Sequence, residues 1–291
     1  MTTTRRGSAW GVRLLGPLLL AGCTTPAERI DVEARSSGFA RVVVQGIDFR
    51  HVVYSNGRDA SGTILHVYID GDGSPYVDRW TVAADPTPHN PLMLRLMALD
   101  AAPAVYVGRP CYAGLAQDPP CSPLDWTLGR FSERVVDSLM SVIERQRTAT
   151  GAAGLELYGH SGGGTLAVLI ARRLPEVRRV ITLAGNLDPD AWADLHDYTR
   201  LTGSLNPARL GPLPVSVEQR HFAGAHDRVM PPGLIEKAAL QLGAQGIVVL
   251  PDASHAAGWE KKWPAILAGH SIDPAADGQR NVKRTPAETS P

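Results

Sequence analysis

The sequence predicts an α/β protein with a mostly parallel central sheet and helices on both faces. Three observations carry that expectation. From about residue 38 to 270, short segments rich in Val, Ile and Tyr alternate with segments whose apolar residues recur at helical spacing. One strand-to-helix junction, "LELYGHSGGG" over 155–164, sets a serine among glycines. Two later loops, each just past a further strand, offer first an aspartate and then a histidine.

The elements follow in order. "FARVVVQGIDFRHVVYS" and "GTILHVYIDG" read as strands bounded by Gly and Asn. "NPLMLRLMALD" has helical spacing, with Asn90 and Pro91 as its cap and first turn. "PAVYVG" is a short buried strand. In "FSERVVDSLMSVIERQR", Val135, Val136, Leu139, Met140 and Ile143 fall on one helical face, opposite the charges. "LELYG", "GTLAVLIARRLPE" and "RRVITLAG" repeat strand, helix, strand. Residues 187–212 are irregular and fit a small insertion; mixing Trp192, Leu195 and Tyr198 with acidic residues, they suit a polar rim better than a water-excluding lid. Strand "VSVEQRHFAG", helix "PGLIEKAALQLG", strand "GIVVLPD" and a last helix around Trp259–Leu267 complete a domain spanning 38–272. The polar tail, 273–291, has the composition of a disordered segment.

The 291 residues carry no formal net charge and are 44% hydrophobic, which suits one domain with a sizeable core. Without a basic excess to neutralise phosphates, nucleic acid is not an expected partner.

The amino terminus reads as a targeting segment. Arg5 and Arg6 precede a short apolar stretch ending in Leu20-Ala21-Gly22-Cys23. That ending resembles the lipobox of bacterial lipoproteins. The resemblance implies removal of residues 1–22, acylation of Cys23 and a tether to a membrane of the bacterial cell envelope, on its periplasmic side, with a linker over 23–37. Thr24 lacks the aspartate associated with inner-membrane retention, which favours the outer membrane. The alternative is an ordinary signal peptide in which Cys23 has no role; Arg13 interrupts the apolar stretch, and a twin-arginine signal is a looser match. Export leaves two further cysteines, Cys111 and Cys121, in the Pro/Gly-rich loop "PCYAGLAQDPPC". In an oxidising compartment they are expected to form a disulfide; a metal site would lack companion ligands at suitable spacing.

The chemistry centres on "GHSGG". Gly-x-Ser-x-Gly between a strand and a helix suits an abrupt reversal that projects the serine side chain above the sheet. The competing view is a glycine-rich turn with an idle serine. Ser161 would need a base oriented by an acid, because a neutral hydroxyl is a poor nucleophile. "AHDRVMPP" offers Asp227 and "ASHAAGW" offers His255, both beyond the carboxyl ends of strands, where open α/β sheets build sites. Asp188, with Asp190 behind it, is the alternative acid, and His226 a weaker alternative base. His160 should turn away from its neighbour and pack or line the pocket, Asp252 suits a turn, and His66 and His196 suit core or surface. An oxyanion would need two donors. The N–H of Gly162 is one candidate. The glycine-rich turn "IDGDG" offers that of Asp72, or of Gly73, as the second, with the Asp70 and Asp72 side chains turned outward or capping a helix.

Taken in order, "IDGDG", "GHSGGG", "GAHDRVMP" and "DASH" resemble the α/β-hydrolase superfamily, over roughly residues 38–270. "DPTP", "RPC" and the paired cysteine resemble, more narrowly, uncharacterised exported or lipoprotein hydrolases of bacteria. The resemblance implies the α/β-hydrolase fold and a Ser161–His255–Asp227 serine hydrolase that needs neither metal nor organic cofactor. Its expected substrate is a small or medium acyl ester. Peptide, amide or lactone hydrolysis, and a non-catalytic binding lipoprotein, are the alternatives. "DG" stands here where that superfamily commonly has "HG".

Overall fold

A computed structural model describes residues 24–270 and, isolated before them, Thr2. The expectations for residues 1–22, for acylation at Cys23 and for the tail 273–291 therefore lie outside the described residues, apart from Thr2. Eight strands form one sheet: β1 (Ala40–Gln45), β2 (Arg50–Ser55), β3 (Ile64–Ile69), β4 (Ala104–Val107), β5 (Gly154–His160), β6 (Val177–Leu183), β7 (Glu218–Gly224) and β8 (Val248–Leu250). Their order across the sheet is β1-β2-β4-β3-β5-β6-β7-β8. Only β2 runs against its neighbours; β4-β3-β5-β6-β7-β8 are parallel.

Each parallel pairing requires a crossover, and right-handed crossovers decide which face each helix covers. From β3 the chain moves leftward in this order to β4 through α2 (Leu92–Ala98). From β4 it moves rightward to β5 through α3 (Glu133–Ala149), and on to β6 through α4 (Gly162–Ala171). The reversal sends α2 to the face opposite α3 and α4. On the α2 side, α7 (Trp263–Leu267) lays Trp263 edge-on against Tyr158 and Tyr68, with ring centroids 5.3 and 5.9 Å apart. Arg95 of α2 bonds Glu260 at 3.0 Å just before α7. α5 (Pro189–Leu195) and α6 (Pro232–Gln241) complete the set. β5 is buried along its whole length, as a strand covered on both faces must be, and its partners hold it in register: Ile69 opposite Gly159, Leu183 opposite His160.

Two boundaries differ from expectation. Residues 24–37, expected to be a linker, contain α1 (Pro26–Ser36). Thr25 and Glu28 form a reciprocal capping box: the Glu28 N–H donates to Thr25 Oγ1 (3.2 Å) and the Thr25 N–H to Glu28 Oε2 (2.7 Å). Ile30 and Ala34, one turn apart, bury against the core. Two apolar contacts on an otherwise polar helix make too faint a stripe to mark it by composition. The last helix begins at Trp263 instead of Trp259, although Trp259 is buried in the approach to it. Residues 187–212 fold as α5 and a 3-10 turn, Pro207–Arg209.

Candidate active site

β5 delivers Ser161 at φ 52° and ψ −121°, a conformation that L side chains rarely adopt. The surrounding glycines make that corner possible. A Cβ on Gly159 would lie 2.4 Å from the Gly163 carbonyl oxygen, and one on Gly163 only 2.2 Å from that of Ile69. The α4 terminus therefore sits directly on the backbone of β3 and β5, and no side chain could be interposed.

Ser161, His255 and Asp227 come together. His255 Nε2 lies 3.2 Å from Ser161 Oγ, and His255 Nδ1 lies 2.9 Å from Asp227 Oδ2. A carboxylate only accepts, so Nδ1 carries the proton and Nε2 presents its lone pair to the serine hydroxyl. The other oxygen of Asp227 accepts the N–H groups of Val229 and Met230, both at 2.8 Å, and its side chain is fully buried. Its two oxygens are thus held by separate partners, and neither the carboxylate nor the imidazole is free to rotate.

The alternatives sit elsewhere. Asp188 caps α5 through the Ala191 N–H (3.1 Å), and Asn206 joins it to Asp190, at 2.7 Å to each. His226 is exposed. His196 donates to or accepts nothing at the triad; its Nε2 meets the Val229 carbonyl at 2.9 Å and fastens α5 to the Asp227 loop. His66 pairs with Asp100 at 2.6 Å.

His160 packs beneath the site. Its Nε2–H donates to the His255 carbonyl oxygen at 2.7 Å, and Trp259 Nε1 donates to the same oxygen at 3.2 Å. Burial pushes His160 down to about 4, which keeps this ring neutral at physiological pH. Two donors on one carbonyl fix the backbone that carries the His255 imidazole.

The loop after β3 passes close to the elbow: a Cβ on Gly71 would stand 3.2 Å from Ser161 Cβ. Among the described residues, neither the Gly162 N–H nor the Asp72 N–H has a protein acceptor. Here the expected orientation of two side chains is corrected. Asp72 points inward, so close to Gly162 that a Cβ there would strike its carboxylate. It is held by Arg109 and, at 2.8 Å, by Arg130. Burial alone would raise its pKa, but Arg130 and Arg109 outweigh it and hold the carboxyl below its ordinary range. Two guanidiniums against one carboxylate leave a net positive charge beside the amino terminus of α4. Asp70 is buried too; desolvation pushes it up to about 7, and among the described residues its Oδ2 has no hydrogen-bond partner.

Sequence reasoning missed Arg109, Arg130 and Tyr112, whose hydroxyl donates to the Asp72 carbonyl at 2.8 Å. Their signal was position: "GRPCY" follows β4 and "GRFS" precedes α3, both at the end of the sheet that carries Ser161. The Cys111–Cys121 disulfide is present, with Cα atoms 5.7 Å apart, and it braces the loop bearing Tyr112. Among the described residues no group of three His, Cys, Asp or Glu side chains could hold a metal.

No protein-family model matches the chain, and no curated protein matches its sequence. Solved structures do match in shape. A bacterial membrane phospholipase A, described as a virulence factor, aligns over 84% of this chain and 90% of its own (TM-score 0.55, 16% identity). A Pyrococcus furiosus esterase aligns over 89% and 97% (TM-score 0.56, 9% identity). A lidless α/β serine hydrolase from Xanthomonas campestris aligns over 79% and 91% (TM-score 0.50, 16% identity). With its sheet order, its strand–elbow–helix corner and these likenesses in shape, the chain has the α/β-hydrolase fold.

Proposed function

We propose that the protein is a serine hydrolase of carboxylic esters, with Ser161 as nucleophile, His255 as base and Asp227 as the residue that orients it. One observation carries the reading: a serine forced to positive φ lies 3.2 Å from an imidazole whose far nitrogen is bound to a buried carboxylate. In this mechanism Ser161 Oγ attacks the acyl carbonyl as its proton passes to His255 Nε2. Asp227 stabilises the resulting imidazolium. His255 then protonates the leaving alkoxide, and water hydrolyses the acyl-enzyme by the reverse use of the same groups. The developing oxyanion is received by the Gly162 and Asp72 N–H groups, each such donor being worth about 3 kcal/mol in comparable sites. Esterases and peptidase-like proteins both share this fold, so ester hydrolysis is the preferred reading and peptide or amide hydrolysis its alternative.

We also infer that the chain is an exported lipoprotein tethered through Cys23, on the strength of Leu20-Ala21-Gly22-Cys23 closing an apolar segment. A fluorophosphonate probe tests the catalytic reading. The native chain is expected to be labelled and Ser161→Ala to remain unlabelled. Equal labelling of both, or of neither, sinks the assignment. A p-nitrophenyl ester series then measures acyl length, with short and medium chains expected to turn over fastest.

A further inference from the structure

A stiff hairpin projects from the catalytic end of the molecule. It leaves the β3 loop at Ser74, two residues beyond Asp72, and returns at Pro86, whose carbonyl oxygen accepts the Ser74 N–H at 2.9 Å. Between them Val77 N–H bonds the Thr81 carbonyl and Ala83 N–H that of Pro75, each at 2.9 Å, while Tyr76 bridges to Val82. Asp78 closes the tip by accepting the N–H groups of Trp80 and Thr81, both at 2.8 Å. Trp126 Nε1 donates to the Ala83 carbonyl (3.1 Å) and pins the base. This hydrogen-bonded scaffold nevertheless holds apolar side chains out in water. Trp80 is 82% exposed and Val77 74%, with Arg79 over the Trp80 ring at 5.3 Å. Leu124, on the 3-10 turn whose Trp126 bonds the hairpin base, is 61% exposed.

The amino terminus enters at this same end. The nearest atom to a Cβ built on Gly114, in the disulfide loop, is Ala27 Cβ at 3.7 Å. Next to Gly114, Ala113 N–H donates to Thr87 Oγ1 at 2.7 Å, which leads back to the hairpin base at Pro86. Because α1 is a packed helix, slack between Cys23 and the body is limited to about three residues, or roughly 10 Å. An anchor on Cys23 cannot swing to the far end of the sheet.

We propose that the catalytic face is the membrane-docking face: the Tyr76–Val82 hairpin, with Leu124, enters the interface of the bilayer that holds the Cys23 anchor. An indole with a cation above it on a rigid turn suits the headgroup level, where Trp concentrates and Arg keeps its charge in water. The anchor then supplies attachment and the hairpin fixes orientation, so that Ser161 faces the lipid surface. The proposal rests on the tether at Cys23 and is independent of the hydrolase reading.

The test uses the full chain, processed and reconstituted on vesicles of phosphatidylethanolamine and phosphatidylglycerol. An environment-sensitive nitrobenzoxadiazole probe is placed at Val77→Cys, or at Val215→Cys as control. Val215 is fully exposed just before β7, at the opposite end of the sheet. At Val77 the probe is expected to shift its emission to the blue and to be reduced by dithionite several-fold more slowly than at Val215. Equally fast reduction at the two positions overturns the proposal, as does a processed chain that stays in the supernatant. Protection at Val77 that appears without vesicles and rises with protein concentration would assign the hairpin to a second copy of the chain and also overturn it. A Ser161→Ala background should leave the probe readout unchanged, so failure of the docking and failure of the catalytic assignment are separately visible.

Discussion

At the scale of single residues, the site depends on charges that do no chemistry themselves. Asp72 offers its backbone N–H to the site while its side chain is clamped by Arg109 and Arg130. Arg130 is itself fixed, its Nε donating to the Thr127 carbonyl at 2.7 Å. Replacing Arg130 by Met would keep most of its volume and leave a buried carboxylate with one partner fewer. Breaking a buried ion pair from one side is strongly destabilising, so a loss of about 3 kcal/mol is expected in urea unfolding. The loop would also loosen where it carries the proposed oxyanion donor. kcat for a soluble ester should therefore fall more than KM changes, since the donor matters most in the transition state. An unaltered kcat in a variant destabilised by this amount would show that the ion pair supports only the fold.

At the scale of elements, the triad was legible because each member follows a strand at the same end of the sheet. Gly159 and Gly163 were legible for a related reason, since close backbone approach admits no other residue. What supports those elements was not. Arg109 and Arg130 are 21 positions apart and meet only when β4 and α3 fold against the β3 loop, so no local spacing announces them. The inward turn of Asp72 was misjudged for the same reason: an acid near an oxyanion is unfavourable only until its neutralising partners are known. The disulfide loop joins the two kinds of element. It closes ten residues and carries Tyr112 onto Asp72. Removing it by Cys111→Ser with Cys121→Ser should cost about 2–3 kcal/mol by the loop-entropy estimate. Because Tyr112 would be released with it, ester turnover should fall even under conditions where the variant is fully folded. Matching turnover in oxidised and reduced native protein would separate the loop from the site.

At the scale of the whole molecule, the alternation of strands and helices was readable because a sheet buried on both faces needs apolar runs, and its covering helices need one apolar stripe. The packed α1 and the late start of α7 escaped because their evidence lies in tertiary contacts. The same burial that makes the core makes the protein acid-sensitive. Burial pushes three histidines down to about 4: His51, held between the Gly108 carbonyl and Ser138 Oγ at 2.8 Å each; His160; and His221, 2.8 Å from Thr182 Oγ1. In the unfolded chain such rings titrate near ~6.5. Their contribution to stability is thus present above ~6.5 and lost as pH falls toward 4, where the unfolded chain holds up to three extra protons. Asp70 opposes them, since its carboxyl, raised to about 7, keeps a proton in the folded state that the unfolded state has lost above ~3.9. The net difference is about two protons between pH 4 and 6.5, or at most about 3 kcal/mol per pH unit. The urea midpoint should therefore climb steeply from pH 4.5 to 6.5 and level off near neutrality. His221→Gln should flatten the acid limb by about one proton, leaving roughly half the slope. A midpoint that is level across this range would mean that the buried rings are protonated in the folded protein, against the burial that surrounds them.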